Sequence, residues 1–188
     1  MHILHGKQPA GGNLTSKQKG EKDGGLMQEI DPSAIISELS DIEKSVRGSN
    51  LTIMAGTFVD SFVKIKFTGG DGHIKIGSNC YLNSGSVLYS GNGITIGNEV
   101  LIAANCTIAA AGHNYLDSSK SVRSQGFPDS RGGVIIEDDV WIGANSVILD
   151  GSVIRKGAVV GANSLVRGEL ISNGIYFGSP VVLTGFRE

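Results

Sequence analysis

From Ile136 to Ile171 the chain carries an aliphatic residue at every sixth position: Ile136, Ile142, Ile148, Ile154, Val160 and Val166. The fifth place of these hexads is small at Ser146, Ser152, Ala158 and Ser164, and Gly recurs at the second or fourth place. An amphipathic helix needs apolar residues every three or four positions, and a half-buried strand alternates every two. A strict period of six satisfies neither. It fits a solenoid of very short strands, each followed by a corner and each sending one aliphatic inward. Three such sides close a triangular coil of roughly eighteen residues, and successive coils stack about 4.8 Å apart through parallel ladder bonds.

Composition agrees. The 28 glycines suit a chain of many corners, and 188 residues suffice for one domain with a sizeable core. With 16 basic and 18 acidic residues there is no electrostatic footprint for nucleic acid or an anionic membrane. No apolar run is long enough to span a bilayer, and the start of the chain does not read as a secretory signal. A reducing cytoplasm is the expected compartment. Cys80 and Cys106 fall at the fifth place of their hexads and read as small buried thiols, not as a disulfide framework.

Residues 1–26 are rich in Gly, Lys and Gln and read as a flexible tail, with Met27 a natural start; His2 and His5 lie in this tail. Asp31 and Pro32 then resemble a helix start, and Ile35, Ile36, Leu39, Ile42 and Val46 share one helical face before Gly48. This predicts a short capping helix over about 32–47, within a segment 27–50 that covers the open end of the solenoid. The solenoid itself is expected over 51–188, in five coils starting near 53, 76, 96, 136 and 154. A polar loop over 113–133 interrupts it, and a C-terminal cap over 172–188 closes it. Long loops on rigid scaffolds tend to carry function.

His113 closes the third of these coils and opens that loop. As a histidine it is of the residue type that can accept a proton near neutral pH. It reads either as a general base or as an ordinary loop histidine. Asp117, Asp129 and Glu99 are the carboxylates that could orient it. His73, in the Gly-rich break 69–72, reads as a turn residue. Trp141, the only tryptophan, occupies an outward place and needs a partner: a neighbouring subunit, or a ligand whose site it walls.

The repeat, the stretch Asp138-Asp139-Val140-Trp141-Ile142-Gly143-Ala144-Asn145 and the Gly112-His113 pair ahead of a long loop resemble the hexapeptide-repeat acyltransferases. The resemblance covers residues 74–187. It implies a left-handed parallel β-helix and a homotrimer with sites between subunits. The implied reaction takes acetyl-CoA as co-substrate, with His113 as the general base that activates an acceptor. Carried over by position, Asn83 and Trp141 contact the acceptor. Gly143, Ala144, Gly161 and Ala162 let the CoA arm lie close to the backbone, and Arg167 and Arg187 supply cations for its phosphates. Ser90 and Gly91 stand where an acidic acceptor contact is expected, Arg167-Gly168-Glu169 replaces the usual Thr-Lys-Asp, and Val182 stands where a basic residue is more usual. The loop stretch Val122-Arg123-Ser124-Gln125-Gly126 is most similar to the branch that O-acetylates sugars of capsule or lipopolysaccharide precursors. An N-acetyltransferase acting on an amino sugar nucleotide, a branch acting on antibiotics, and a non-catalytic scaffold are the alternatives. The zinc carbonic anhydrases of the same fold need three histidine ligands, whereas only His73 and His113 lie in the solenoid.

Overall fold

A stretch such as Ile74-Lys75-Ile76 can bury two side chains only if its outer residues point inward and the middle one outward, and this is how it sits. In the computed structural model, which describes residues 28–188, such strands build a three-sided parallel β-helix. Face A stacks seven strands, from Gln28–Ile30 through Ile94–Ile96 to Glu169–Leu170. Face B stacks eight, and its last pair, Gly174–Phe177 with Val182–Phe186, is antiparallel. Face C stacks six, from Asp41–Ile42 to Leu165–Val166. The hexad period becomes three columns of stacked aliphatics. Ile53, Ile76, Ile96, Ile136 and Ile154 are in register on face A. Val59, Leu82, Ile102, Ile142 and Val160 follow on face B. Ile65, Leu88, Ile108 and Ile148 do so on face C. Each is fully or almost fully buried, and a side chain so placed contributes roughly 1.5–3 kcal/mol.

The corners explain the remaining places of the hexad. The last corner residue adopts positive φ, as at Asn79 (56°), Asn105 (59°), Asp139 (58°), Asn145 (60°) and Asn163 (58°). Asn and Asp visit this region more cheaply than other residues with a Cβ. The small fifth-place side chains point inward and cap carbonyls of the next coil. Thr57 Oγ1 donates to Gly77 O (2.7 Å), Cys80 Sγ to Gly97 O (3.0 Å) and Ser86 Oγ to Ala103 O (3.0 Å). Cys106 Sγ donates to Gly143 O (3.2 Å) and Ser146 Oγ to Gly161 O (3.1 Å). The same atoms also accept: Cys80 N donates to Thr57 Oγ1, and Ser164 N to Ser146 Oγ. A buried hydroxyl or thiol thereby satisfies backbone groups that a corner would otherwise strand. Both cysteines are buried and unpaired with one another.

Two expectations fail. The segment expected to be a capping helix is a further coil, made of Gln28–Ile30, Ile35–Ile36 and Asp41–Ile42. The reason is the ladder. Asp31 N, Ile35 N and Asp41 N donate to Ile53 O, Thr57 O and Val63 O, bonds that a helix cannot offer to the open end. Asp31, which resembled a helix cap, instead accepts from Ser33 N (2.9 Å) and Ser33 Oγ (2.7 Å) within the first corner. The period of six was present there too, in Ile30, Ile36 and Ile42, which pack against the core. The coil count is also larger. The five expected coils are the second to sixth, the first lies ahead of them, and a seventh supplies only its first two faces. The expected tail, with His2 and His5, lies outside the described residues. Among these, no helix is long and apolar enough to cross a membrane.

Candidate active site

The long loop leaves the fourth coil after Thr107–Ala109 and rejoins at Val134–Ile136, so it replaces one corner on the edge between faces C and A. Ala110 is still buried in the shaft, while Gly112 and His113 are exposed. The loop is ordered by its own polar groups. Asn114 N donates to Gly126 O (2.9 Å), and Asn114 Nδ2 to Phe127 O (3.0 Å), which fastens the outgoing leg to the returning one. Gln125 Nε2 donates to Asp117 O, and its Oε1 accepts from Asp117 N. A four-residue helix, Val122–Gln125, is capped by Ser121. The His113 ring stacks on Phe127, with centroids 4.7 Å apart and planes at 29°. The Phe127 ring in turn lies over the second coil's corner, with Cε1 3.6 Å from where a Cβ on Gly69 would stand. The Gly-rich break at 69–72 is the floor on which this pair rests. A Cβ at Gly70 or Gly72 would also strike the backbone of the next corner, Gly91 to Gly93.

The three carboxylates named as partners for His113 are disposed differently. Asp117 is engaged by Ser119 and Lys120 (2.9 Å), contacts that lower its pKa, Ser119 most strongly. Glu99 lies on the edge between faces A and B, one full face from His113. Asp129 sits exposed on the returning leg, two residues beyond Phe127. His73, expected to be a turn residue, braces the neighbouring coil by accepting from Asn50 N at Nδ1 (2.8 Å).

The other expected site residues are spread over the remaining edges of the prism. Trp141 begins the fifth strand of face B, half exposed, in one outward column with Tyr81 and Leu101. Beside it runs a groove of about 270 Å³ lined by Glu99, Leu101, Asp139, Trp141, Val159 and Arg187. Arg187 is already occupied: its Nη1 lies 2.9 Å from Asp139 Oδ2 and 3.0 Å from Gly157 O. Arg167 is exposed on the same edge as His113. Asn83, Gly143-Ala144 and Gly161-Ala162 share the third edge, between faces B and C. Asn83 Nδ2 donates to Ile102 O (2.8 Å). The glycines there are required by close approach rather than by φ. A Cβ on Gly143 would lie 2.5 Å from Ala162 N, and one on Gly161 would fall on the Phe177 ring. Ser90 is fully buried, so no acceptor contact replaces the missing acidic group at that place. A single chain therefore does not bring His113, Trp141 and Asn83 to one pocket. Residues not foreseen are Phe127, Asn114, Asn92 and Asp150; only the aromatic on the returning leg had a readable signal, as an exposed apolar residue in a polar loop. Among the described residues no group of His, Cys, Asp or Glu could hold a metal ion.

Comparison with known proteins places this architecture. Two family models match: Bacterial transferase hexapeptide (six repeats) over residues 133–168, and Hexapeptide repeat of succinyl-transferase over residues 73–110. The lipopolysaccharide biosynthesis O-acetyl transferase WbbJ of Escherichia coli K12 is 34% identical over 138 residues, 71% of this chain and 67% of the relative. Galactoside O-acetyltransferase of the same organism is 30% identical over 145 residues, 77% of this chain and 68% of the relative. Among solved structures, a variant of AntD, an N-acyltransferase from Bacillus cereus, was determined with dTDP-4-amino-4,6-dideoxyglucose and coenzyme A. It superposes with a TM-score of 0.73 at 25% identity, covering 87% of this chain and 86% of that one. A hexapeptide-repeat acetyltransferase from Vibrio cholerae, complexed with acetyl-CoA, gives 0.59 at 25% identity over 86% of this chain and 70% of that one. Period, three-sided parallel coil, protruding loop and relatives agree: this left-handed β-helix belongs to the hexapeptide-repeat acetyltransferase family.

Proposed function

We propose that the protein transfers the acetyl group of acetyl-CoA to a hydroxyl of a sugar in a surface-polysaccharide precursor in the cytoplasm, with His113 as general base. The observation that carries this is the setting of His113. It is an exposed imidazole stacked on Phe127, at the mouth of the long loop that interrupts the shaft. The imidazole takes the acceptor hydroxyl proton as its oxygen attacks the thioester carbonyl carbon. The tetrahedral oxyanion then collapses with cleavage of the C–S bond, and the imidazolium returns the proton to the departing thiolate. Backbone N–H groups are the expected oxyanion donors.

The site is read as shared between three copies of the chain. His113 stands on one edge of face A and Trp141 just past the other, so each lacks on its own chain what the other provides. The outward column Tyr81, Leu101 and Trp141, 38–50% exposed, suits apposition to a neighbour. In this reading Trp141 and Asn83 meet the acceptor. The small corners Gly143-Ala144 and Gly161-Ala162 accommodate the CoA arm, and Arg167 and the free face of Arg187 meet its phosphates. The likeness to AntD, solved with an amino sugar nucleotide, supports a second reading in which the acceptor atom is an amine.

The test is thiol release from acetyl-CoA across sugar nucleotides, oligosaccharides and amino sugars, with His113→Ala in parallel. Loss of a general base should lower kcat by about 10²–10⁴-fold and leave acetyl-CoA binding intact. Full acceptor-dependent turnover by the variant would overturn the assignment.

A further inference from the structure

Asp150 is the one charged side chain that is buried among the described residues. It stands at the corner of the fifth coil on the edge between faces C and A, one coil beyond the loop. Its Oδ2 accepts from Asn92 Nδ2 (3.0 Å) and from Arg131 N (3.1 Å), and its Oδ1 from Gly133 N (3.0 Å). Asn92 belongs to the third coil's corner, so the carboxylate reaches across the gap where the fourth coil's corner is replaced by the loop. Asn92 is bound to the loop's other end as well, since its backbone N donates to Ala110 O (2.8 Å). One carboxylate and one amide thus pinch together the outgoing leg at Ala110 and the returning leg at Arg131 and Gly133. Between these points lie only Ala111 and Gly112 before His113, and Pro128 to Ser130 after Phe127.

We infer that Asp150 is a positioning residue for acyl transfer: through Asn92 and the two loop legs it sets the His113–Phe127 stack. This rests on the reading of His113 as the base. The stack rests on the Gly69 corner, and the stems fixed by Asp150 and Asn92 are separated by only two residues from His113 and by three from Phe127, so their register sets where the imidazole stands. A misplacement of about 1 Å at a reacting group costs on the order of 10²-fold in rate. Asp150 is buried and its carboxylate is engaged by Asn92, Arg131 and Gly133, so it is placed to position the loop rather than to meet substrate.

The experiment compares Asp150→Asn, Asp150→Ala and Asn92→Ala with the unaltered protein by hydrogen exchange and by steady-state kinetics. Asp150→Asn retains the shape and one acceptor oxygen, which guards against a failure to fold. The Asn114, Arg131 and Gly133 amides should exchange at least tenfold faster, while ladder amides such as Leu101 and Val147 keep their protection. Acceptor-dependent kcat should fall about 10²-fold for Asp150→Ala and less for the other two, with the KM for acetyl-CoA within about twofold. In the His113→Ala background Asp150→Ala should have no further effect, because it acts through the histidine. Unchanged exchange at Asn114, equal loss of protection along the whole shaft, or a full additive effect without His113 would each overturn the proposal. An active His113→Ala enzyme would sink the base assignment instead, while the exchange pattern would still judge the clamp.

Discussion

Replacing Ser146 by Ala removes one oxygen from the interior of the fifth coil. That oxygen donates to Gly161 O (3.1 Å) and accepts from Ser164 N (3.3 Å), and Ser146 is fully buried. Both backbone groups lose the partner that the side chain supplies, in a place water does not reach. Each stranded buried group costs about 1–3 kcal/mol, and slight relaxation around the methyl recovers part, so the loss should be about 2–4 kcal/mol. For a chain of this size that is a fall in Tm of roughly 4–16 °C. Guanidinium unfolding at a fixed protein concentration measures it, since any association adds a concentration-dependent contribution. Ser146→Cys provides the internal control. Cys80 and Cys106 make the equivalent bond to Gly97 O and Gly143 O in their own coils, so the corner accepts a thiol. The Cys variant should lose less than half of what the Ala variant loses. A loss below about 0.5 kcal/mol for Ala, or equal losses for Ala and Cys, would refute the idea that fifth-place hydroxyls and thiols hold the corners together.

The remaining predictions concern the buried thiols and the first coil. Burial pushes the Cys80 and Cys106 thiols up, so neither should react with a thiol reagent at pH 8 faster than the protein unfolds. A raised folded value also means that the stabilisation is full below the unfolded thiol pKa of about 8.5 and is lost as pH rises beyond it, a trend that unfolding midpoints between pH 7 and 10 would show and a flat profile would contradict. In the first coil, Ile36→Ser should destabilise by about 1–3 kcal/mol while Leu39→Ser stays within about 0.5, because Ile36 packs on the core and Leu39 is 61% exposed. A helix burying both residues would make the two losses alike.

How far the molecule was legible from its residues varies with the range of the interaction. The aliphatic period announced the three inward columns because every coil places the same residue type at the same height. The small fifth place and the positive-φ corner residue, most often Asn or Gly, are likewise local requirements, repeated until they become visible. The first coil was misread because Ile36 and Ile42 belong both to a helical face with Ile35, Leu39 and Val46 and to a hexad series with Ile30. Local spacing cannot choose between them; the ladder bonds from Asp31, Ile35 and Asp41 to the second coil do. The loop and its histidine could be read as a break in the period. The stack of His113 on Phe127 could not, because it depends on Asn114 folding the returning leg back onto the outgoing one.

What the sequence determined by itself is therefore everything that repeats: the solenoid, its core and corners, and the place where a single histidine leaves it. Tertiary structure alone decided which edge each site residue occupies. It set His113, Trp141 and Asn83 on three different sides of the prism. It also brought Asp150 across an empty corner to Asn92, which lies 58 positions earlier. The physical reason is the geometry of the coil. Residues about eighteen apart become neighbours through the ladder, whereas residues six apart face different directions, so proximity along the chain says little about which groups share a surface.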